Sequence, residues 1–363
     1  MYHKNIVYLV LTLFILLVGF ISGYFYGIKT TSISTSTVTS TMYKTITLPS
    51  QSIVEVTRYI YIESTPLITY TETFVQTVLR TTTITTVVPS IQYVLMYPFN
   101  PWAFVDFNDD GVDDIVVEIN PWNTRSFEGV QKIVIDLAKR IIKTEFNLSN
   151  VQPREWANGY PEVYIGRKPW STKYVNGFNV NFPMKISNAT PFIVSFYICI
   201  LNLLPSMNFN IAADAWIVRE DIAKNPGTPP SNGDLEIMVW LFNQNLNPAG
   251  KKTGETVIPI VVNGSIVEIT FEVWRHDSVE WGGWQYIAFK PKNWRHRCGY
   301  IAYNTLDFVK TAASFATLDI SEHYLLGWEI GTEWGTISSN GVAVFSWILK
   351  DFIALPMVSI KGN

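Results

Sequence analysis

The stretch SNGDLEIMVWL, residues 231–241, joins a turn signal to strict alternation. Ser-Asn-Gly-Asp is turn chemistry, because these side chains stabilise or tolerate tight backbone bends. In the strand that follows, successive side chains point to opposite faces. Leu235, Ile237 and Val239 share one aliphatic face, and Glu236, Met238 and Trp240 share the other. The first face belongs to a core. The second is unlike a solvent face, because it sets a carboxylate between a thioether and an indole. It reads as the wall of a ligand cleft.

The same division recurs along the chain. In NFNIAADAWI (208–217), Asn208, Asn210, Ala212, Asp214 and Trp216 face one way, and Phe209, Ile211 and Ala213 the other. If the two strands are neighbours, Asp214 can set the orientation and protonation of Glu236. In GWEIGTEWG (327–335), Glu329, Gly331 and Glu333 share a face opposite Trp328 and Ile330. In EINPWN (118–123), Asn120 and Trp122 stand two apart, so that an amide and a ring face could meet one sugar. GYPEVYIGRKPW (159–170) adds Tyr160, Tyr164 and Trp170, which read either as cleft or as core aromatics.

Short alternating runs bounded by Gly, Pro and Asn are predicted as strands at 114–120, 162–165, 192–201, 208–218, 235–242, 256–262, 265–274, 284–289, 327–332 and 341–349. Many short strands at this spacing predict an all-β sandwich, barrel or jelly roll. Two segments read as helical. One is 130–146, in part. The other is 305–316, where Leu306, Phe308, Val309 and Ala312 form a stripe that would pack across one sheet.

The chain has 363 residues, 48% hydrophobic and only 16% charged, with 13 Trp, 18 Tyr and 21 Phe. The formal net charge of −3 leaves no basic surplus for nucleic acid. Abundant aromatics with little charge suit uncharged ligands with apolar faces, of which sugars are the obvious class. Residues 6–28 are apolar and uncharged, long enough at about 1.5 Å per residue to cross a bilayer core. The reading is a membrane anchor over 1–28, favoured over a cleaved signal because the exit offers a poor cleavage site. A Thr/Ser-rich stalk follows over 29–92, with interleaved Val, Ile and Tyr that favour local β structure. The last part, 93–363, is the catalytic-type domain. This order implies an extracellular location, either membrane-anchored at the cell surface or secreted.

Cys199 and Cys298 could form one disulfide outside the cell, or stay as two thiols. The run Asp106, Asn108, Asp110, Gly111 and Asp114 offers oxygens at alternate positions before a glycine turn. It reads as either a structural calcium loop or an acidic hairpin tip. The four histidines lack metal-ligand spacing.

Taken in order, GYPEVYIGRKPW, NGDLEIMVWL and GWEIGTEWG resemble the motifs of glycoside hydrolase family 12 endo-β-1,4-glucanases. The AADAWI strand and WGGWQYIAF (281–289) are also similar, and the resemblance extends over roughly residues 93–350. It implies a β-jelly roll of two curved antiparallel sheets with a cleft on the concave face. It also implies Glu236 as nucleophile, Glu333 as general acid/base and Asp214 as the support of Glu236. Asn120 and Trp122 match the family's Asn-x-Trp sugar-binding pair, and Met238 its cleft methionine. Where the family often has Pro-Phe after GTE, this chain has Trp334-Gly335, so Trp334 is expected to shape the sugar subsite there. Tyr164, Trp170 and Trp240 complete the expected binding surface. The expected activity is retaining hydrolysis of internal bonds in cellulose-type β-glucan by a monomer without a cofactor. The alternatives are a xyloglucan- or xylan-directed hydrolase and a non-catalytic glycan-binding protein.

Overall fold

The computed structural model describes residues 92–154, 157–294, 297–336 and 341–357, together with the backbone of four strands at 41–42, 55–62, 65–73 and 88–89. The expected anchor over 1–28 lies outside the described residues. Among the described residues, no helix is long and apolar enough to cross a membrane. Within the Thr/Ser-rich tract, β1 (Thr41–Met42) pairs with β4 (Val88–Pro89), and β2 (Glu55–Ile62) with β3 (Thr65–Thr73).

From residue 92 the strands are β5 (Gln92–Met96), β6 (Trp102–Val105), β7 (Ile115–Glu118), β8 (Ser126–Asp136), β9 (Ile141–Gln152) and β10 (Glu162–Gly166). Next come β11 (Met184–Lys185), β12 (Phe192–Leu203), β13 (Phe209–Val218), helix α1 (Glu220–Lys224), β14 (Leu235–Gln244), β15 (Lys251–Val262) and β16 (Ser265–His276). The chain closes with β17 (Gln285–Pro291), β18 (Cys298–Asn304), helix α2 (Thr305–Phe315), β19 (Tyr324–Leu325), β20 (Gly327–Gly331) and β21 (Ala343–Pro356).

Two runs of paired strands form the body. One runs β6, β7, β10, β20, β13, β14, β17 and β16. The other runs β5, β8, β9, β21, β12 and β18. Strand β15 pairs with both β16 and β18 and so joins the runs at one end. Pairing is antiparallel except between β14 and β17. This is the all-β class that the alternation predicts, in the jelly-roll form that the resemblance implies.

Alternation places the core between the runs. Ile211, Ala213, Ala215 and Ile217 of β13 are buried in one apolar cluster with Leu235, Ile237 and Val239 of β14. Phe146, Phe192, Phe196, Phe345 and Trp347 from the other run belong to the same cluster. Helix α2 forms where the stripe predicts it and buries Leu306, Phe308, Val309 and Ala312. Asn304 caps it, its side chain accepting from the Leu306 N–H at 3.2 Å.

The helix expected within 130–146 is a β-hairpin instead, made of β8 and β9. Gln131, Ile133 and Ile135 alternate as buried residues. Asp136 Oδ1 accepts the Lys139 N–H at 3.1 Å, and Arg140 takes the left-handed conformation (φ 53°), which turns the chain. The β-branched residues suit a pleated surface, and Lys132 pairs with Glu145 across the strands at 3.0 Å.

Cys199 and Cys298 face each other in the β12–β18 register and form a disulfide. In the 106–114 loop, Asp106 accepts the N–H groups of Asp109 and Gly111, each at 2.7 Å. Asp114 accepts those of Phe107 (2.9 Å) and Asn108 (3.0 Å). These hydrogen bonds shape the turn. Among the described residues, no group of three or more His, Cys, Asp or Glu is placed to hold a metal.

Candidate active site

The outward face of the β7–β10–β20–β13–β14–β17 run carries the polar half of each alternating strand. It lines a cleft of about 840 Å³. Glu118 comes from β7, Glu329 from β20, Asp214 and Trp216 from β13, Glu236, Met238 and Trp240 from β14, and Tyr286 from β17. Loops add Asn120, Trp122, Lys168, Trp170, Lys173, Trp281, Trp284 and Glu333. Trp122, Trp170 and Trp281 are exposed, as rings offered to a flat apolar ligand would be.

Strand register brings the acids together. Glu236 stands opposite Trp216, and Met238 opposite Asp214. Asp214 also stands opposite Glu329 on its other side. Strand β20 ends at Gly331, two residues before Glu333. Asn210 then holds the Glu333 segment. Its Nδ2 donates to Glu333 Oε2 at 2.6 Å, its Oδ1 accepts the Glu333 N–H at 2.9 Å, and its own N–H donates to the Glu333 carbonyl at 3.0 Å. Gly331 lacks a side chain because the Tyr160 ring occupies that space, 2.7 Å from where a Cβ would stand.

Burial dominates the electrostatics. It raises the Glu333 carboxyl to about 7, against the lowering effect of the Asn210 amide. It raises Glu236 to about 8, helped by the Glu333 charge and opposed by the Trp284 N–H. Asp214 is raised well above its ordinary value, first by burial, then by Glu236 and other acids. Glu329 is likewise raised by burial and by Glu162. The cluster therefore holds protons at pH values where ordinary carboxyls have lost them.

Beside this cluster lies a buried ionic group. Lys168 bonds the Glu162 carboxylate and lies 3.3 Å from Glu118. Lys173 pairs with Glu118 at 3.0 Å, and Asn120 Nδ2 donates to Glu162 at 2.9 Å. Burial pulls the Lys168 ammonium down, but Glu162 and Glu118 more than reverse this and hold it charged.

The structure brings Glu236, Glu333, Asp214, Asn120, Trp122, Trp170, Met238 and Trp240 onto one cleft. Two expected binding residues stand elsewhere. Tyr164 is fully buried with Val116 and Val175, beneath the loop that returns through Val175, so no sugar reaches it. Trp334 is fully buried in the main core, edge-on to Phe146 at 5.5 Å. It occupies the opposite face from Glu333, as alternation past the strand end requires. Sequence reasoning did not single out Lys168, Lys173, Glu118, Glu162, Asn210, Trp281, Trp284 or Tyr286 as site residues. For the lysines and acids the signal was charge inside aromatic stretches. For Trp284 it was WGGW, a glycine pair between indoles.

Residues 113–350 match the family model for glycosyl hydrolase family 12. The chain belongs to this family of glycoside hydrolases. Solved structures share the fold. A family 12 xyloglucanase from Bacillus licheniformis is 18% identical, with a TM-score of 0.56 over 73% of this chain and 100% of that one. An endoglucanase from Rhodothermus marinus is 20% identical, with a TM-score of 0.53 over 73% of this chain and 99% of that one. Comparison with curated proteins finds no match.

Proposed function

We propose that this chain is a retaining endo-β-1,4-glucanase, with Glu236 as nucleophile and Glu333 as general acid/base. The observation that carries this reading is the convergence of Glu236, Glu333 and Asp214, from separate elements, in one cleft walled by tryptophans. In the first step a Glu236 oxygen bonds the anomeric carbon while the glycosidic bond breaks, and Glu333 gives its proton to the leaving oxygen. In the second, Glu333 takes a proton from water, whose oxygen displaces Glu236 from the sugar. A carboxyl raised to about 7 suits the acid role of Glu333, and while Glu333 holds its proton its charge no longer raises Glu236. Asp214, also raised above its ordinary value, stays neutral and acts as a donor toward Glu236, easing its ionisation. Trp122, Trp170 and Trp281 stack on pyranose faces, and Asn120 bonds a sugar hydroxyl.

The open run of exposed tryptophans suits attack within long chains. A disulfide suits an oxidising exterior and so supports an extracellular, membrane-tethered or secreted location; that the protein is a monomer without a cofactor is a further part of the proposal. A structural calcium in the 106–114 loop is a separate proposal, and a melting temperature unmoved by chelator and by added calcium would remove it.

The test is reducing-end release from carboxymethylcellulose, xyloglucan and xylan by the purified protein, beside Glu236→Gln and Glu333→Gln. Both folded variants are expected to lose about 10²–10⁴-fold in rate. NMR of the first-formed anomer is expected to show retention. Higher activity on xyloglucan or xylan would move the substrate assignment. A folded wild type inactive on all three would leave glycan binding as the reading.

A further inference from the structure

Trp284 ties a distant loop to the centre of the cleft. Its indole N–H donates to Glu236 Oε2 at 2.6 Å, across 48 residues of sequence. Three rings hold one another there. Trp284 meets Trp216 with centroids 5.2 Å apart at 72°, and Trp170 at 5.7 Å and 68°. Trp170 meets Trp216 at 5.2 Å and 90°. Each contact is edge-to-face, the arrangement that ring quadrupoles favour. The backbone around Trp284 is equally constrained. The Val279 N–H donates to the Trp284 carbonyl at 2.9 Å, and the Gly283 N–H to the Val279 carbonyl at 2.8 Å. At Gly282 a Cβ would come within 1.6 Å of the Trp284 ring, so the indole lies where only glycine leaves space.

We propose that Trp284 is a positioning residue for Glu236: its clamped N–H fixes the carboxylate and favours the ionised form that attacks. The inference rests on Glu236 being the nucleophile. A donor held on Oε2 leaves Oε1 as the attacking oxygen. The titratable groups facing Glu236 are Asp214 from β13, Tyr286 from β17 and Glu333 from the segment after β20, with His276 of β16 opposite Tyr286. Burial and the Glu333 carboxylate disfavour a charge on Glu236, so the indole N–H works against them.

Trp284→Phe keeps a ring and removes the donor. It is expected to lower kcat/KM at pH 6 by about 10–100-fold, mostly in kcat, because a charge-assisted hydrogen bond is lost. The acid limb of the kcat/KM profile, where the nucleophile ionises, is expected to move up by about one pH unit. A purely structural tryptophan would lower the rate without moving that limb, and an unmoved limb overturns the proposal. Glu236→Gln, assayed alongside, separates the two ideas. If it keeps the wild-type rate, the nucleophile assignment fails and takes the inference with it. If it is inactive while Trp284→Phe behaves as wild type, only the role of Trp284 fails. Should Trp284→Phe not fold, the indole ¹H–¹⁵N resonances of the wild type decide. One resonance is expected to titrate with Glu236 and to shift in Glu236→Gln, and the absence of any such resonance overturns the proposal.

Discussion

Asp214 poses the sharpest question at the scale of single residues. Burial and the neighbouring acids raise it well above its ordinary value, and in the proposed mechanism its part is that of a neutral donor rather than a second anion. An asparagine can donate from nearly the same place, and an alanine cannot. Asp214→Asn is therefore expected to keep about ten times more kcat/KM at pH 6 than Asp214→Ala, since only the latter loses the donor that the proposed mechanism directs at Glu236. Equal losses in the two variants would show that a charged Asp214 is what matters. Trp334 teaches the opposite lesson at this scale. It adjoins Glu333 in the chain, but its ring belongs to the core with Phe146 and Phe345.

The buried ion group belongs to the scale of elements, because it ties neighbouring strands. Glu118 on β7 and Glu162 on β10 stand opposite each other in register, and two carboxylates there would repel. Lys168, from the segment after β10, lies between them. Lys168→Met leaves Glu162 buried without its ionic partner, while Glu118 keeps Lys173, and urea unfolding is expected to show a loss of about 3–5 kcal/mol. A loss under about 1 kcal/mol, the range of exposed pairs, would mean that water reaches the group. Element type was legible where periodicity was clean, as in β13, β14, β20 and α2. It failed over 130–146, because a hairpin of two apolar-rich strands also supplies Val, Ile and Leu at helical spacing. The turn at 137–140 rests on Asp136 and on a left-handed Arg140, neither of which marks a turn as glycine or proline would.

For the whole molecule, the raised acids make a statement about stability. Asp214, Glu236, Glu329 and Glu333 all have folded pKa values above those of an unfolded chain. The folded state thus favours their protonated forms. That contribution is full below the unfolded values, and it is lost as pH rises through about 7 for Glu333 and about 8 for Glu236. The melting temperature is expected to fall between pH 5 and pH 9, taken as approximate bounds of that window. Glu329→Gln should raise it at the alkaline end and leave it unchanged near pH 4, a point at roughly the ordinary carboxylate value. A variant with the same pH dependence as wild type would show that Glu329 is not part of this cluster.

Local pattern carried the all-β class, the two faces of β13 and β14, and the positions of Glu236, Asp214 and Glu333. These are legible because side-chain alternation follows from covalent geometry, whatever lies on either side of the strand. Only the tertiary structure decided which faces meet. It buried Tyr164 under a loop, paired Cys199 with Cys298, placed Lys168 between two acids and brought the Trp284 N–H to Glu236. Each of these joins a residue to partners on other strands or loops. Their meeting depends on strand register and sheet curvature, which the packing of the whole core sets and which no local stretch encodes by itself.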